Sequence, residues 1–223
     1  MTSWRERLRA LPTIPAEVED LDVATLPGDP VDLFTAWLTE AIDAGVPAPH
    51  AMTIATSGLH GEVSARALIL KDVGPHGWAF ATRRDSLKGA QIADNPRAAL
   101  VFLWPALGHQ VRVVGPVRDL GDDAAAADFA ARSPYSRASA LAGHQGDELA
   151  DVATHRRAYA DALARAQADP DLTLAAWRVY AVVPREVEFW HSSAAGQVRV
   201  VYSRPVDDDA APGGAWRRTF RWP

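Results

Sequence analysis

The sequence predicts a mainly β fold with flanking helices, and three observations carry that prediction. From Ala51 to Leu120, short apolar runs are separated by turn residues, the pattern of a meander of antiparallel strands. Before it, residues 29 to 45 show the three-and-four spacing of an amphipathic helix. After an alanine-rich stretch at 122 to 168, apolar alternation returns and continues to the C-terminus.

Residues 1 to 28 hold three prolines and scattered acids with little periodicity, which predicts an N-terminal arm laid over a surface rather than an independent element. A single domain is expected over 29 to 223. Asp29-Pro30 gives its first helix a cap and a first-turn proline, and Leu33, Phe34, Trp37, Leu38 and Ile42 give it one apolar face, ended by Gly45 and Pro47. Strands are expected at Met52 to Thr56, Ser64 to Lys71, Gly77 to Ala81, Ala98 to Trp104 and Gln110 to Leu120. Pro116 marks an edge or a bulge in the last of these. The segment Asp85 to Asn95, closed by Pro96, reads as a short helix. Further on, the composition predicts a helix near Asp122 to Arg132, a polar loop from Ser133 to Gly146 and a helix from about Glu148 to Ala168. The final strands are expected at Ala175 to Val183, Glu186 to His191, Val198 to Arg204 and Trp216 to Arg221, with the acidic run at 207 to 214 as a surface hairpin loop.

Composition removes several function classes. A chain of 223 residues with 48% hydrophobic and 23% charged residues buries a core of ordinary size. A net charge of −5 argues against broad nucleic-acid or acidic-membrane binding. With no cysteine, the chain has no disulfide, thiol nucleophile or cysteine-ligated metal, so redox chemistry must come from a bound cofactor. Residues 1 to 15 lack the apolar core of a secretory signal, and no stretch approaches the roughly 20 apolar residues of a membrane span, so a cytoplasmic protein is expected. The seven histidines have no H-x-x-x-H spacing, and no G-x-S-x-G is present, so neither a metal centre nor a serine hydrolase is expected.

Four segments can carry chemistry. In "SARALILKD", Ser64 to Asp72, Arg66 and Lys71 point to opposite faces of a regular strand, so one can meet a phosphate and the other a second ligand, unless a bulge brings them together. In "ATRRDSLKGAQI", Ala81 to Ile92, a strand end with Thr82 leads into a helix start with Ser86 and Lys88. Such a helix start makes a phosphate cradle without the glycine spacing of a dinucleotide site. Gln110, entering a strand in "HQVRVVG", can offer a donor and an acceptor to the polar edge of a flat ring. Trp190 beside His191 can form a wall for such a ring.

Taken in order, these segments resemble the pyridoxamine 5′-phosphate oxidase family over roughly residues 29 to 223. The likeness runs through "DPVDLFTAWLTEAIDAGVPAPHAMTIAT", "RALILK", "SLKGAQIADNPRAAL", "HQVRV", "VEFW" and the terminal "AWRRTFRWP". It implies an FMN-binding split β-barrel that works as a homodimer, with FMN at the dimer interface. By position it implies FMN contacts at Arg66, Ala67, Leu68, Ile69, Leu70, Lys71, Ala81, Thr82, Lys88, Gln110, Gln145, Trp190 and Arg199. Ala81 stands where the family usually has an aromatic residue and Leu87 where it has an arginine. On the substrate side it implies Lys71, Arg132, Ser136 and Gln197, with Asp128 at a position usually held by tyrosine. Ala195 and Gln197 replace the family's Arg-x-His, and the loop "HQGDELADV" is closer to members acting on phenazine precursors. The activity implied is an FMN-dependent oxidase taking a small anionic or aromatic substrate and passing electrons to dioxygen. The alternatives are an oxidase of a secondary-metabolite precursor and a non-catalytic flavin-binding protein.

Overall fold

Helix α2 (Pro30–Asp43) forms where the sequence places its start signal, with the Asp29 carboxylate accepting the Val31 N–H at 2.8 Å and Pro30 in the first turn. Its buried face is Leu33, Phe34, Trp37 and Ala41, whereas Ile42 is exposed. The stripe therefore ends on the small residue one position before the isoleucine that the spacing selects. The computed structural model describes residues 2–12, 18–143, 145–204 and 215–223, so the acidic run at 207 to 214 lies outside the described residues. The chain divides into two compact units. One comprises Met1–Thr53, Leu100–Val114 and Arg185–Pro223, and the other Ile54–Ala99 and Gly115–Pro184.

The first unit holds α1 (Trp4–Arg9), α2, strands β7 (Glu186–Ser193), β8 (Gly196–Ser203) and β9 (Arg217–Arg221), and the leading half of β5 (His109–Asp119). These strands pair antiparallel in the order β5-β7-β8-β9. Side chains alternate with period two, so Val111, Val113, Val187, Phe189 and Val200 are buried on one face, while Gln110, Arg112, Trp190 and Arg199 stand on the other. The ring of Phe34 meets Phe102 edge-on at 4.9 Å and Trp37 meets Phe189 at 5.2 Å, which seats α2 on the apolar face. Helix α1 was not expected from periodicity. It owes its start to a local capping box, Ser3 with Glu6. Residues 18 to 27 lie on this unit: the Tyr202 hydroxyl donates to the Pro27 carbonyl at 2.7 Å and Arg218 to the Leu26 carbonyl at 2.6 Å.

The second unit is built on β2 (Val63–Gly74), β3 (Gly77–Arg83) and β6 (Trp177–Val182), with α3 (Leu87–Asp94), α4 (Asp122–Ala131), α5 (Pro134–Leu141) and α6 (Val152–Ala168). Strand β3 is buried at every residue and pairs with β2 on one side and β6 on the other. Ala79, Ala81, Ala181 and Val179 pack under Phe129 and Trp177, so the helices approach closely over small side chains. Strands β1 (Ala51–Ser57) and β4 (Arg97–Trp104) also form, and β5 changes partner along its length. Residues 109–114 pair with β7 and 117–119 with β6. Pro116 sits at that change, where it has no N–H to give to a ladder and its carbonyl accepts from Val183 at 2.9 Å.

The stretch from Ser133 to Gly146, expected as a loop, contains α5. Ser133 caps it by accepting from the Ser136 N–H, and Pro134 opens the first turn. Alanines and Arg137 form its buried side, so the apolar periodicity that betrays a helix is absent. Arg137 is consumed structurally: it donates to the carbonyls of Ala166, Asp169 and Pro170, closing the C-terminal end of α6.

Helix α3 starts against the end of β3 with almost no clearance. A Cβ built on Gly89 meets the Arg84 carbonyl at 2.4 Å and the Arg83 carbonyl at 2.6 Å. Backbone cannot yield as a side chain can, so Gly89→Ala is expected to destabilise the protein by about 2 kcal/mol. Denaturant unfolding measures this directly, and an unchanged midpoint would show that the helix start shifts freely.

Candidate functional site

In the second unit, Lys88 is the focus. Its side chain is 4% exposed, yet no carboxylate pairs with it among the described residues. Its ammonium donates instead to three neutral oxygens: Thr82 Oγ1 at 3.1 Å, Ser86 Oγ at 3.3 Å and Gln145 Oε1 at 3.1 Å. Burial, and then the positive charge of Arg66, lower its pKa from the usual 10.5 to about 8. Among the described residues Arg66 likewise meets hydroxyls and no carboxylate, donating to Thr56 Oγ1 at 2.7 Å and to Ser64 Oγ. Both hydroxyls donate on to Gln91 Oε1, at 2.6 and 2.7 Å, so the guanidinium is held by a small polar network. Two cations that repel each other and lack an anion are arranged to receive one.

A cavity of about 370 Å³ opens beside this pair, lined among others by Leu68, Ala81, Thr82, Lys88, Arg132, Gln145 and Trp177. Along β2, Leu68 is half-buried and Leu70 buried, while Ala67, Ile69 and Lys71 are the more exposed alternate residues. A register shift between Leu70 and Asp72 places a bulge at Lys71. The bulge does not join Lys71 to Arg66 through a shared partner. Lys71 Nζ lies 3.1 Å from Asp128 Oδ1, and the other carboxylate oxygen of Asp128 accepts from the Trp177 indole at 2.8 Å. Arg132 lies over the Trp177 ring, 4.3 Å from its centroid, and donates to the Ser136 backbone carbonyl at 2.9 Å. Burial lowers the Arg132 pKa, with Asp128 acting in the opposite direction, and Arg132 Nε is buried without a partner. The Ser136 hydroxyl accepts from Ser133 at 3.2 Å.

In the first unit, Gln110, Trp190, Arg199 and Arg221 occupy one row across β5, β7, β8 and β9. Arg199 is paired with buried Glu188 at 2.5 Å and also donates to the Trp222 carbonyl. Gln197 is exposed opposite Ser192, and Ala195 is exposed in the turn between β7 and β8. On the opposite face, His109 stacks on Trp37 with centroids 3.7 Å apart and contacts His191 and Glu40.

Comparison with known proteins places the chain. A model of the pyridoxamine 5′-phosphate oxidase family matches residues 38–190. The chain belongs to the pyridoxamine 5′-phosphate oxidase family. Relatives named pyridoxine/pyridoxamine 5′-phosphate oxidase include one from Cupriavidus pinatubonensis, 36% identical over 198 residues, covering 88% of this chain and 90% of the relative. Another, from Thermosynechococcus vestitus, is 39% identical over 169 residues, covering 73% and 76%. Among solved structures, PhzG from Burkholderia lata in complex with tetrahydrophenazine-1-carboxylic acid superposes with a TM-score of 0.83 at 27% identity, covering 95% of this chain and 100% of that one. A family-related FMN-binding protein from Nostoc punctiforme superposes with a TM-score of 0.69 at 19% identity, covering 89% and 99%, and supports the fold alone. The fold is the family's split barrel with flanking helices.

Set against the positions that the family resemblance implied, the second unit brings together Arg66, Leu68, Ala81, Thr82, Lys88, Gln145 and Arg132 around or beside one cavity. The first unit aligns Gln110, Trp190 and Arg199. Arg83 cannot stand in for the arginine that Leu87 lacks, because it is bidentate to Asp85 and donates to the Ala140 carbonyl at 2.6 Å. Arg84 and Leu87 are both exposed. Trp177, Ser139 and His155 also line the cavity and were not anticipated. Trp177 had a signal in its alternating strand, whereas His155 and Ser139 had none, since their place depends on how α5 and α6 lie. No helix among the described residues is long and apolar enough to cross a membrane.

Proposed function

We propose that the chain is an FMN-dependent oxidase of the pyridoxamine 5′-phosphate oxidase family, acting as a cytoplasmic homodimer on a small aromatic substrate. The observation that carries the cofactor assignment is Lys88, a buried ammonium with no carboxylate, placed beside Arg66. A buried unpaired cation is costly, and a phosphate monoester supplies the missing anion. Lys88, Arg66 and the Thr82 hydroxyl would hold that phosphate, and Gln145 adds a polar oxygen that can be displaced. Gln110 and Arg199 would meet the polar edge of the flavin ring, with Trp190 as a wall. When bound, FMN supplies a hydride acceptor and a route to dioxygen. The protein's own work is to position donor and acceptor and to exclude water around them.

A second reading of the substrate, a secondary-metabolite precursor in place of a B6 vitamer phosphate, has specific support. The turn carrying Ala195 and Gln197 presents no cation, and Lys71, implied as a phosphate clamp, is already paired with Asp128. PhzG, a structural relative at 27% identity, was crystallised with a ring carboxylate. Weak orientation hurts turnover more than binding, because a displacement of about 1 Å can cost on the order of a hundredfold in rate. Purified protein is expected to sediment as a dimer, to show flavin absorbance, and to release peroxide from pyridoxamine 5′-phosphate more slowly than about one per second. Colourless protein that cannot be loaded with FMN would overturn the oxidase reading, and a faster rate would return the chain to vitamin B6 metabolism.

A further inference from the structure

The charges at the Trp177 end of the cavity are unequal in a way that selects among ligands. Arg132 and Trp177 line the cavity, and Asp128 lies directly behind them. The Asp128 carboxylate is mostly buried and takes two donors, the Lys71 ammonium at 3.1 Å and the Trp177 indole at 2.8 Å. It therefore already fills the place of an anion between them. Of the two cations, Lys71 is compensated. Among the described residues, Arg132 contacts the Ser136 carbonyl and the Trp177 ring, with Nε buried and unpartnered and with Asp128 near enough to act on its charge, and it faces the cavity without a carboxylate of its own. At this end of the cavity the count is Lys71 plus Arg132 minus Asp128, a net charge of one; of the other lining cations, Arg83 is spent on Asp85 and Lys88 is the one assigned to the FMN phosphate.

We propose that Asp128 is a specificity-determining residue that fixes the charge of the substrate, so that the Trp177 end of the cavity, away from the Lys88 end assigned to the FMN phosphate, takes a small aromatic monocarboxylate in preference to a phosphate monoester. A single arginine fork matches a carboxylate in both charge and shape. A phosphate dianion brings one charge more than the site compensates, and brings it close to the Asp128 carboxylate, which repels it in a partly desolvated place. Asp128 also orients Trp177 through the indole hydrogen bond, so the residue that sets the charge also holds the ring against which a flat substrate would lie. The proposal deepens the oxidase reading and rests on it for the presence of a small substrate in this cavity.

The test uses three inert probes that share a phenyl ring and differ in charge on FMN-loaded protein: phenyl phosphate, benzoate and benzamide, with affinities measured by calorimetry. The wild type is expected to bind benzoate at least as tightly as phenyl phosphate. Asp128→Asn keeps an oxygen acceptor for the Trp177 indole and removes only the charge. It is expected to improve benzoate roughly tenfold and phenyl phosphate roughly a hundredfold, leaving benzamide unchanged, because the gain scales with ligand charge. Lys71→Met carries the same test with opposite sign, weakening the two anions in the same ratio, so the proposal stands or falls even if one variant does not fold. Equal shifts for all three probes, no shift, no detectable binding of any probe, or a wild type that prefers phenyl phosphate would each overturn it. Flavin content of every sample separates the two readings. A protein that takes no FMN but shows the charge series would sink the oxidase assignment alone, whereas full flavin without the series would sink the role of Asp128 alone.

Discussion

Lys88→Met is expected to strip FMN from the protein while making the FMN-free chain more stable. Both effects have one cause. The ammonium is buried among neutral oxygens with Arg66 as its nearest charged influence, so without an anion it is a desolvated cation, and removing it relieves that cost. With a phosphate bound, the same group makes a charge-assisted contact in a place of low solvent access, and its loss should weaken FMN retention by roughly a hundredfold. The pH dependence gives an independent reading. Because the folded-state pKa is lowered to about 8 from 10.5, the unfolded chain holds more protons than the folded one between these values. Stability of the FMN-free protein should then rise with pH across that window. FMN affinity should move the other way, falling as pH climbs above about 8, since the bound phosphate requires the charged form. Fluorescence titration of FMN from pH 7 to 10, beside thermal melts of the flavin-free protein, measures both. In Lys88→Met the two slopes should vanish together, and a variant that retains wild-type affinity and the wild-type slope would place the phosphate elsewhere.

Much of the fold was legible because its signals are local. Asp29-Pro30 is a cap and a first-turn proline whatever surrounds it, and α2 begins there. The strands follow from alternation along β1, β4 and β5, where burial switches at nearly every residue. The misses are where burial is achieved with residues that carry no hydrophobic signal. Helix α5 buries Arg137, Ala138 and Ala140, so its local cues reduce to Ser133 and Pro134, a cap and a first-turn proline that a polar loop can equally contain. Ile42 was assigned to the α2 face by spacing, although the smaller Ala41 is the residue that fits there.

The candidate site was legible as a set of residue types and not as a set of partners. Lys88 and Thr82 sit six residues apart at a strand end and a helix start, so their contact is nearly dictated by the turn between them. The partnership of Lys71 with Asp128 spans 57 residues and depends on how α4 packs against β6, which no local pattern encodes. The same holds for Arg66, whose hydroxyl partners come from β1 and its own strand and are tied together by Gln91 of α3. Charge was read correctly as present, but whether each cation was free or spent was decided by tertiary neighbours: Arg83 and Arg137 are spent on carbonyls and on Asp85, while Lys88 is not. A cation's function here is set by what it lacks.

Acidification from pH 7 towards 4 is expected to cost the protein on the order of 3 kcal/mol through one histidine of the first unit. His109 is buried against Trp37, and burial lowers its pKa from 6.5 to about 4, with Glu40 opposing that shift and His191 adding to it. In the unfolded chain this histidine takes a proton between pH 6.5 and 4, whereas in the folded protein it does not. Stability is therefore complete above about 6.5 and is lost as pH falls through that window. A shift of this size is a large share of a typical stability of about 5–15 kcal/mol. The hydrogen bonds explain why the site resists a proton poorly satisfied elsewhere. His191 Nε2–H donates to the Glu19 carbonyl at 2.8 Å, so its Nδ1 accepts from His109 Nδ1–H at 3.1 Å, leaving a lone pair on His109 Nε2 facing the Glu40 carboxylate at 3.2 Å. Two neutral rings bring two N–H groups to three contacts, and the contact with half-exposed Glu40 is the one left without a hydrogen. Glu40→Gln supplies it. That variant should gain about 1 kcal/mol at pH 7, from a new amide N–H to His109 Nε2. It should keep that advantage as pH falls to about 4, because without the carboxylate that favoured the imidazolium His109 takes its proton at a still lower pH and the loss down to that point is the same in both proteins. Urea unfolding at pH 4.5, 5.5 and 7 for both proteins resolves the two effects. An unfolding free energy that is flat over this range, or a Glu40→Gln variant weaker than wild type at pH 7, would show that the buried pair holds its proton in some other arrangement.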